Sequence, residues 1–242
     1  DFQILSTGSI EIPNPYDPEN PSRFLDWKAH GWVDLHSALA RSSNVYFYEV
    51  GGGFGNLKGL GIAELRSYWG KFLLGVKTGI DLPSEGAGFL PDAEEKEART
   101  GQIWRIGDTY NVSIGQGDLL LTPIQLINFI ASLANGGKIY KPHLVPESPE
   151  TLFDYSGWQK EIQEVQQGMI DAVKKPYGTA SLLSYLPVSA AGKTGSSQVS
   201  NNTRTNAFFV GYAPAENPQI AILVLIENAK EGSLNAVPVA KD

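Results

Sequence analysis

The sequence predicts a mixed α/β (α+β) protein, helical through much of its length and closing on a block of adjacent antiparallel strands. Three observations carry this. The stretch "TPIQLINFIASLANGG", residues 122–137, has a threonine N-cap, proline at the first helical position and a glycine stop, and reads as a largely buried helix. Residues 188–199, 205–213 and 219–228 are strand-like, and the last, "QIAILVLIEN", is nearly all apolar in its middle, as a central strand covered on both faces should be. The turn signals "NNT" and "PAENP" between them make adjacent antiparallel pairing the simplest topology.

The remaining elements follow in chain order. Residues 1–30 are rich in Pro, Asn, Asp and Ser and read as extended chain and turns. Asp34 then caps an amphipathic run in which Leu35, Ala38 and Leu39 stand at helical spacing. Ser42-Ser43-Asn44 interrupts it, because these side chains compete for backbone hydrogen bonds and favour caps and turns. A second apolar helix ends at Gly51-Gly52-Gly53, residues 57–74 suggest another, and residues 80–110 read as loop-rich. Residues 159–174 form a further helix. No internal repeat or low-complexity tract is visible.

Composition narrows the function classes. At 242 residues, 42% hydrophobic and 19% charged, the chain has an ordinary globular profile and can bury a substantial core. A net charge of −7 argues against a general nucleic-acid binder. Without cysteine, neither a disulfide frame nor a thiolate metal site can form. His30, His36 and His143 lack the helical i, i+4 spacing of a zinc site and read as structural or surface residues, so no metal and no cofactor is expected. No apolar run approaches the ~20 residues of a membrane span, and the start shows no signal peptide. Opening without methionine, the sequence reads as a piece of something longer.

Two glycine-rich runs invite nucleotide readings and fail them. "GKT" at 192–194 would need a glycine where Pro187 stands and a helix where a strand pattern follows. "GGGFG" at 51–55 would place its third glycine at Lys58 and lacks a preceding strand, so a helix stop explains it better. Lys193-Thr194-Gly195 fits another chemistry. A strand with small residues and an open edge lets an extended peptide lie beside it, the lysine attracts an anion, and the Thr and Ser hydroxyls can hydrogen-bond a carboxylate. Taken alone, an edge lysine is more often protection against aggregation. The second element shifts that balance: Ser42-Ser43-Asn44 stands at a helix break some 150 residues earlier, on the order expected of the serine enzymes that recognise penicillin.

The text around both motifs resembles the transpeptidase domain of class B penicillin-binding proteins, most of all the elongation-type penicillin-binding protein 2 group. The resemblance rests on "ALARSSNVYFYEVG", "TGIDLPSE", "VSIGQGDLLLTPIQL", "ASLANGGKIYKPHLV", "GTA" at 178–180, "AAGKTGSSQ" and "FFVGYAP", in that order from about Trp27 to the end. It implies the serine transpeptidase and β-lactamase-like fold: a mainly antiparallel sheet of about five strands with helices on both faces, a mostly helical subdomain, and the cleft between them. It implies acyl-serine chemistry on D-Ala-D-Ala stem peptides of peptidoglycan, cross-linking to a neighbouring amine, and trapping by β-lactams. By the same resemblance Ser42 carries a proton toward the leaving group, and Asn44 bonds the substrate carbonyl. Lys193 faces Ser42 across the cleft. Thr194 and Ser196 hold the substrate carboxylate, Gly195 lets the substrate pass, and the Ser196 N–H is half of the oxyanion hole.

The third family signature, Ser-x-x-Lys with nucleophile and base, begins at none of the serines in this chain. The resemblance places it upstream of Asp1, so residues 1–242 are expected to be a partial transpeptidase domain that needs its upstream segment as partner and is unstable alone. It further implies an anchor in the bacterial cytoplasmic membrane, a domain on the extracytoplasmic side, and a glycosyltransferase of the elongation machinery as a partner. Asn206-Ala207-Phe208-Phe209 departs from the His-Ala pattern common at that place. A β-lactamase, a D,D-carboxypeptidase, a non-catalytic β-lactam sensor domain and an inactive homologue stay open as alternatives.

Overall fold

The computed structural model describes residues 2–146, 148–199 and 203–242. The proline-rich start is more ordered than extended chain and turns. Strands β1 (Ile4–Ser6), β2 (Ser9–Ile12), β3 (Ser22–Leu25) and β4 (Gly31–Val33) make two small antiparallel ladders, β1 with β4 and β2 with β3. Ile4, Ile10 and Val33 are buried there against Tyr46, Tyr48 and Tyr110. Strands of three or four residues leave too short an alternation to read from sequence.

Helix α1 (Leu35–Arg41) begins at the Asp34 cap, whose Oδ1 accepts the Ser37 N–H at 2.8 Å. Ser42 ends it in the left-handed region at φ 55°, and α2 (Asn44–Gly52) starts at once under a Ser43 cap and stops at Gly53. Helix α3 runs Gly61–Lys71. The loop-rich expectation for 80–110 is corrected, for α4 (Ala93–Thr100) and α5 (Ile106–Ser113) lie across its second half. Helix α4 buries none of its residues and so has no apolar stripe to detect; the Asp92 cap and the Glu95–Arg99 pair at 2.7 Å support it instead. Helix α6 (Pro123–Ala134) has the predicted Thr122 cap, completed by Gln125 into a reciprocal box. Strands β5 (Lys138–Tyr140) and β6 (Thr151–Asp154) pair, and α7 (Gln159–Lys174) matches the predicted 159–174.

The C-terminal part carries the main sheet: β7 (Ala191–Val199), β8 (Arg204–Ala213) and β9 (Ile220–Ile226), antiparallel in the order β7-β8-β9. Three strands stand in it among the described residues, where the resemblance implies about five. The middle strand is β8 and not, as its apolar run suggested, β9. Coverage and centrality are separate properties. Helices clad both faces of β9, which explains its composition, while the pairing puts it at one side. On one face Phe209, Ile222 and Val224 pack with Leu183 of a short helical turn (Ser181–Tyr185) and with Val237 of the short closing helix α8 (Val237–Lys241); on the other Val210, Tyr212 and Ala221 pack with Ile130 and Leu133 of α6 and Met169 of α7.

Helix α1 lies tightly on α7 because Gly168 has no side chain. A Cβ there would come within 2.6 Å of Leu39 Cδ1 and 2.8 Å of Leu39 Cβ. This close approach brings the C-terminal end of α1, and with it Ser42, toward the sheet.

Candidate active site

The two motifs meet. Lys193 on β7 donates from Nζ to Ser42 Oγ at 2.7 Å and to its neighbour's carbonyl, Thr194 O, at 2.6 Å. The amine is enclosed, and burial pushes it down from the usual lysine range to about 8. Ser42, Ser43 and Asn44 line a cavity of about 180 Å³ with Phe47, Ser113 and Ile114. Asn44 donates from Nδ2 to the Leu25 carbonyl at 3.2 Å.

The rest of the Lys-Thr-Gly strand is held by residues that sequence reasoning did not single out. Thr194 is buried, and its hydroxyl donates to Thr179 Oγ1 at 2.7 Å. The Thr179 N–H in turn donates to the Ala40 carbonyl at 3.1 Å. Thr179 thus ties the last turn of α1 to β7. Ser196 is exposed; its Oγ accepts the Gly232 N–H at 3.2 Å, and its carbonyl accepts Gln116 Nε2 at 3.1 Å. At Gly195 a Cβ would stand 3.3 Å from Phe208 Cβ. Asn206, at the departure from the family pattern, accepts the Asn228 N–H at 3.3 Å.

Beneath the Ser-x-Asn turn lies a buried carboxylate. Asp26 Oδ2 accepts from Ser43 Oγ at 2.9 Å, Val45 N at 3.1 Å and Ser6 Oγ at 3.2 Å, and Oδ1 accepts the Trp27 N–H at 2.9 Å. The Trp27 indole N–H is shared between the carbonyls of Arg41 at 3.1 Å and Ser42 at 3.2 Å. The His30 side chain has no exposed surface; its Nε2 lies 3.5 Å from Asp26 Oδ1, and desolvation outweighs the Asp26 charge to hold its pKa below the usual imidazole value. These contacts stabilise a backbone that would otherwise avoid the left-handed region, at a strain of ~1–2 kcal/mol for a residue such as Ser42.

"GTA" and "SIGQG" belonged to the resemblance without roles for Thr179 or Gln116. Asp26 and Trp27 gave no signal, sitting in a segment that reads as turns.

A serine hydroxyl and a buried amine thus stand in contact beside an antiparallel strand, a pairing that serine-type acyl-transfer enzymes with lysine in place of histidine also contain. The family model described as "Penicillin binding protein transpeptidase domain" matches residues 4–242, and the chain belongs to that family. It is 33% identical to the peptidoglycan D,D-transpeptidase MrdA of Acinetobacter baumannii over 251 residues, covering 93% of this chain and 36% of that relative. The chain therefore spans little more than a third of that relative's length. Among solved structures, Pseudomonas aeruginosa PBP2 in complex with WCK 5153 superposes with a TM-score of 0.84 at 35% identity, over 99% of this chain and 54% of the other. The complex of Helicobacter pylori PBP2 with MreC gives 0.85 at 31%, over 100% and 44%. The resemblance read from the motif text, to the transpeptidase domain of the PBP2 type, is borne out, as is the mixed α/β transpeptidase fold. Among the described residues no helix is long and apolar enough to cross a membrane.

Proposed function

We propose that residues 1–242 are the Ser-x-Asn and Lys-Thr-Gly portion of a peptidoglycan D,D-transpeptidase whose Ser-x-x-Lys segment lies outside them. The observation that carries this reading is the 2.7 Å contact from Lys193 Nζ to Ser42 Oγ, between motifs 151 residues apart. The nucleophilic serine attacks the carbonyl of the D-Ala-D-Ala bond, and its proton passes to the leaving D-alanine amine. Ser42 is the last carrier in that path. An amine at about 8 is still largely protonated at neutral pH, so Lys193 donates to Ser42 Oγ and leaves the Ser42 proton free to go to the leaving group. The same positive charge attracts the substrate's terminal carboxylate, which Ser196 and Thr194 bind, Thr194 by turning its hydroxyl proton from Thr179 Oγ1 to the carboxylate. The Thr194–Thr179 contact keeps that part of the strand in place. The Ser196 N–H donates to the oxyanion, a contact of a kind whose loss typically slows reaction ~10²–10³-fold. Asn44 orients the substrate peptide. A neighbouring stem's amine then takes the acyl group.

β-Lactams act on the same site as mimics of the dipeptide. The parent acts on the extracytoplasmic side of the bacterial cytoplasmic membrane, in company with a glycosyltransferase of the elongation machinery. The H. pylori relative is solved in complex with MreC, which supports a place in a protein assembly.

The test is an intact-mass measurement after incubation with benzylpenicillin, on the full-length protein and on residues 1–242. One adduct on a serine upstream of these residues is expected. An adduct on the 242-residue chain itself would make a serine within it the nucleophile and overturn the reading that the Ser-x-x-Lys segment lies outside. Rapid release of hydrolysed penicillin would turn the reading to a β-lactamase.

A further inference from the structure

The Ser-x-Asn turn is built against its own backbone preference, with Ser42 at φ 55° and no glycine to ease it. One side chain takes two of its donors. Asp26 Oδ2 accepts from both the Ser43 hydroxyl and the Val45 N–H, the two donors that bracket Asn44 in the chain. Ser43 caps α2 with its lone pair toward Tyr46 N–H and gives its proton to Asp26, so the carboxylate completes the cap from outside the helix. Asp26 is itself pinned. Its own N–H donates to the Gly8 carbonyl at 2.9 Å, and Ser6 on β1 donates to Oδ2 at 3.2 Å. The next residue, Trp27, grips the Arg41 and Ser42 carbonyls. The small N-terminal ladders thus reach the site through one acid and one indole.

We propose that Asp26 is the positioning residue of the Ser-x-Asn turn, fixing Ser43 and Val45 so that Ser42 Oγ stands within hydrogen-bond reach of Lys193. The inference rests on the reading of Ser42 as a proton carrier. An ionised carboxylate suits this place because it is acceptor-only and takes four donors on two oxygens. Asparagine offers one acceptor oxygen and turns its NH₂ either toward the Trp27 N–H or toward the Ser43–Val45 pair. Alanine abandons all four donors in a buried place. A turn released by ~1 Å would lose on the order of 10²-fold in rate without any change to the strand that binds the carboxylate.

The experiment uses the full-length protein with Asp26→Ala, Asp26→Asn and, as a control in the same segment, the exposed Asp17→Ala. Benzylpenicillin acylation is followed by stopped flow. Its amplitude counts competent molecules, and its rate constant reports proton transfer within each of them. Hydrogen exchange at the Val45 amide is followed in parallel. For Asp26→Ala the expected result is a ~10²-fold slower acylation per competent molecule, with faster Val45 exchange and undisturbed exchange in α7. Asp26→Asn should fall between it and wild type, and Asp17→Ala should match wild type. A lower amplitude at an unchanged rate constant would mean a merely structural role and overturn the proposal. If Asp26→Ala does not fold, Asp26→Asn and Ser43→Ala decide by the same two readouts. If the unmutated protein takes no penicillin, the acyl-transfer reading fails. Val45 exchange then decides alone, and exchange unchanged in Asp26→Asn would remove the clamp itself.

Discussion

A single methyl group added at Gly232 measures how closely acyl transfer depends on the placement of the Lys-Thr-Gly strand. Gly232 sits beside β7, its N–H on Ser196 Oγ. A Cβ there would come 2.4 Å from the Phe208 carbonyl oxygen, 2.6 Å from the Gly195 oxygen and 3.0 Å from the Gly195 nitrogen. The first contact is about 1 Å inside the 3.4 Å at which ordinary packing begins. All three neighbours are backbone atoms, and Gly195 and Phe208 are partners in the β7–β8 register, so no side chain can swing aside. Either the strand pair or the Gly232 segment must shift. Overpacking of this kind costs about 1–3 kcal/mol, and a misplacement near 1 Å at the reacting centre costs roughly 10²-fold in rate. We expect Gly232→Ala in the full-length protein to acylate with fluorescent penicillin ~10²-fold more slowly, with a destabilisation of about 1–3 kcal/mol by chemical denaturation. Gly70→Ala is the control, since a Cβ there meets nothing within 4 Å; it should acylate normally and gain about 0.5–1 kcal/mol from helix propensity. Acylation of Gly232→Ala within threefold of wild type would show that the position of Ser196 does not limit the reaction.

Three further expectations follow from the same site. Thr179→Val leaves the buried Thr194 hydroxyl without its partner and should cost about 1–3 kcal/mol by thermal denaturation, while Thr179→Ser stays near wild type; equal stability of the two would refute the bridge. Lys193 is depressed from 10.5 to about 8, so the unfolded chain binds the extra proton between those values. Acylation should therefore fall as pH rises through about 8, while stability rises between 8 and 10. Above 10 it falls again, because Tyr48 and Tyr212 are pushed up to about 12 by burial. The rise should vanish in Lys193→Met, and its persistence would assign it elsewhere. Residues 1–242 expressed alone should show no cooperative thermal transition, and a cooperative monomer in calorimetry would contradict the need for an upstream segment.

The sequence made visible what depends on neighbours in the chain. Asp34, Thr122 and Pro123 announce their helices because a cap acts within three residues. The break at Ser42 was legible for the same reason. Helix α4 was hidden because it buries nothing, and β8 yielded the centre to β9 on paper because apolar cladding looks alike at the middle and the side of a sheet. At the site, Lys193 and Ser42 could be read from motifs. Asp26 acts on Val45 across 19 residues and Gln116 on Ser196 across 80, through bonds that no periodicity records.

The distance between Ser42 and Lys193 along the chain has a consequence for synthesis. Closing a loop of 151 residues costs about 4 kcal/mol in chain entropy, more than one hydrogen bond returns. In the native chain the docking of α1 on α7 and the registration of the three strands hold the pair together. Chains that already contain both residues but have not folded thus lack the assembled pair. A labelled β-lactam would register completed molecules and pass over nascent ones, so its uptake in a pulse of synthesis would time the final step of assembly.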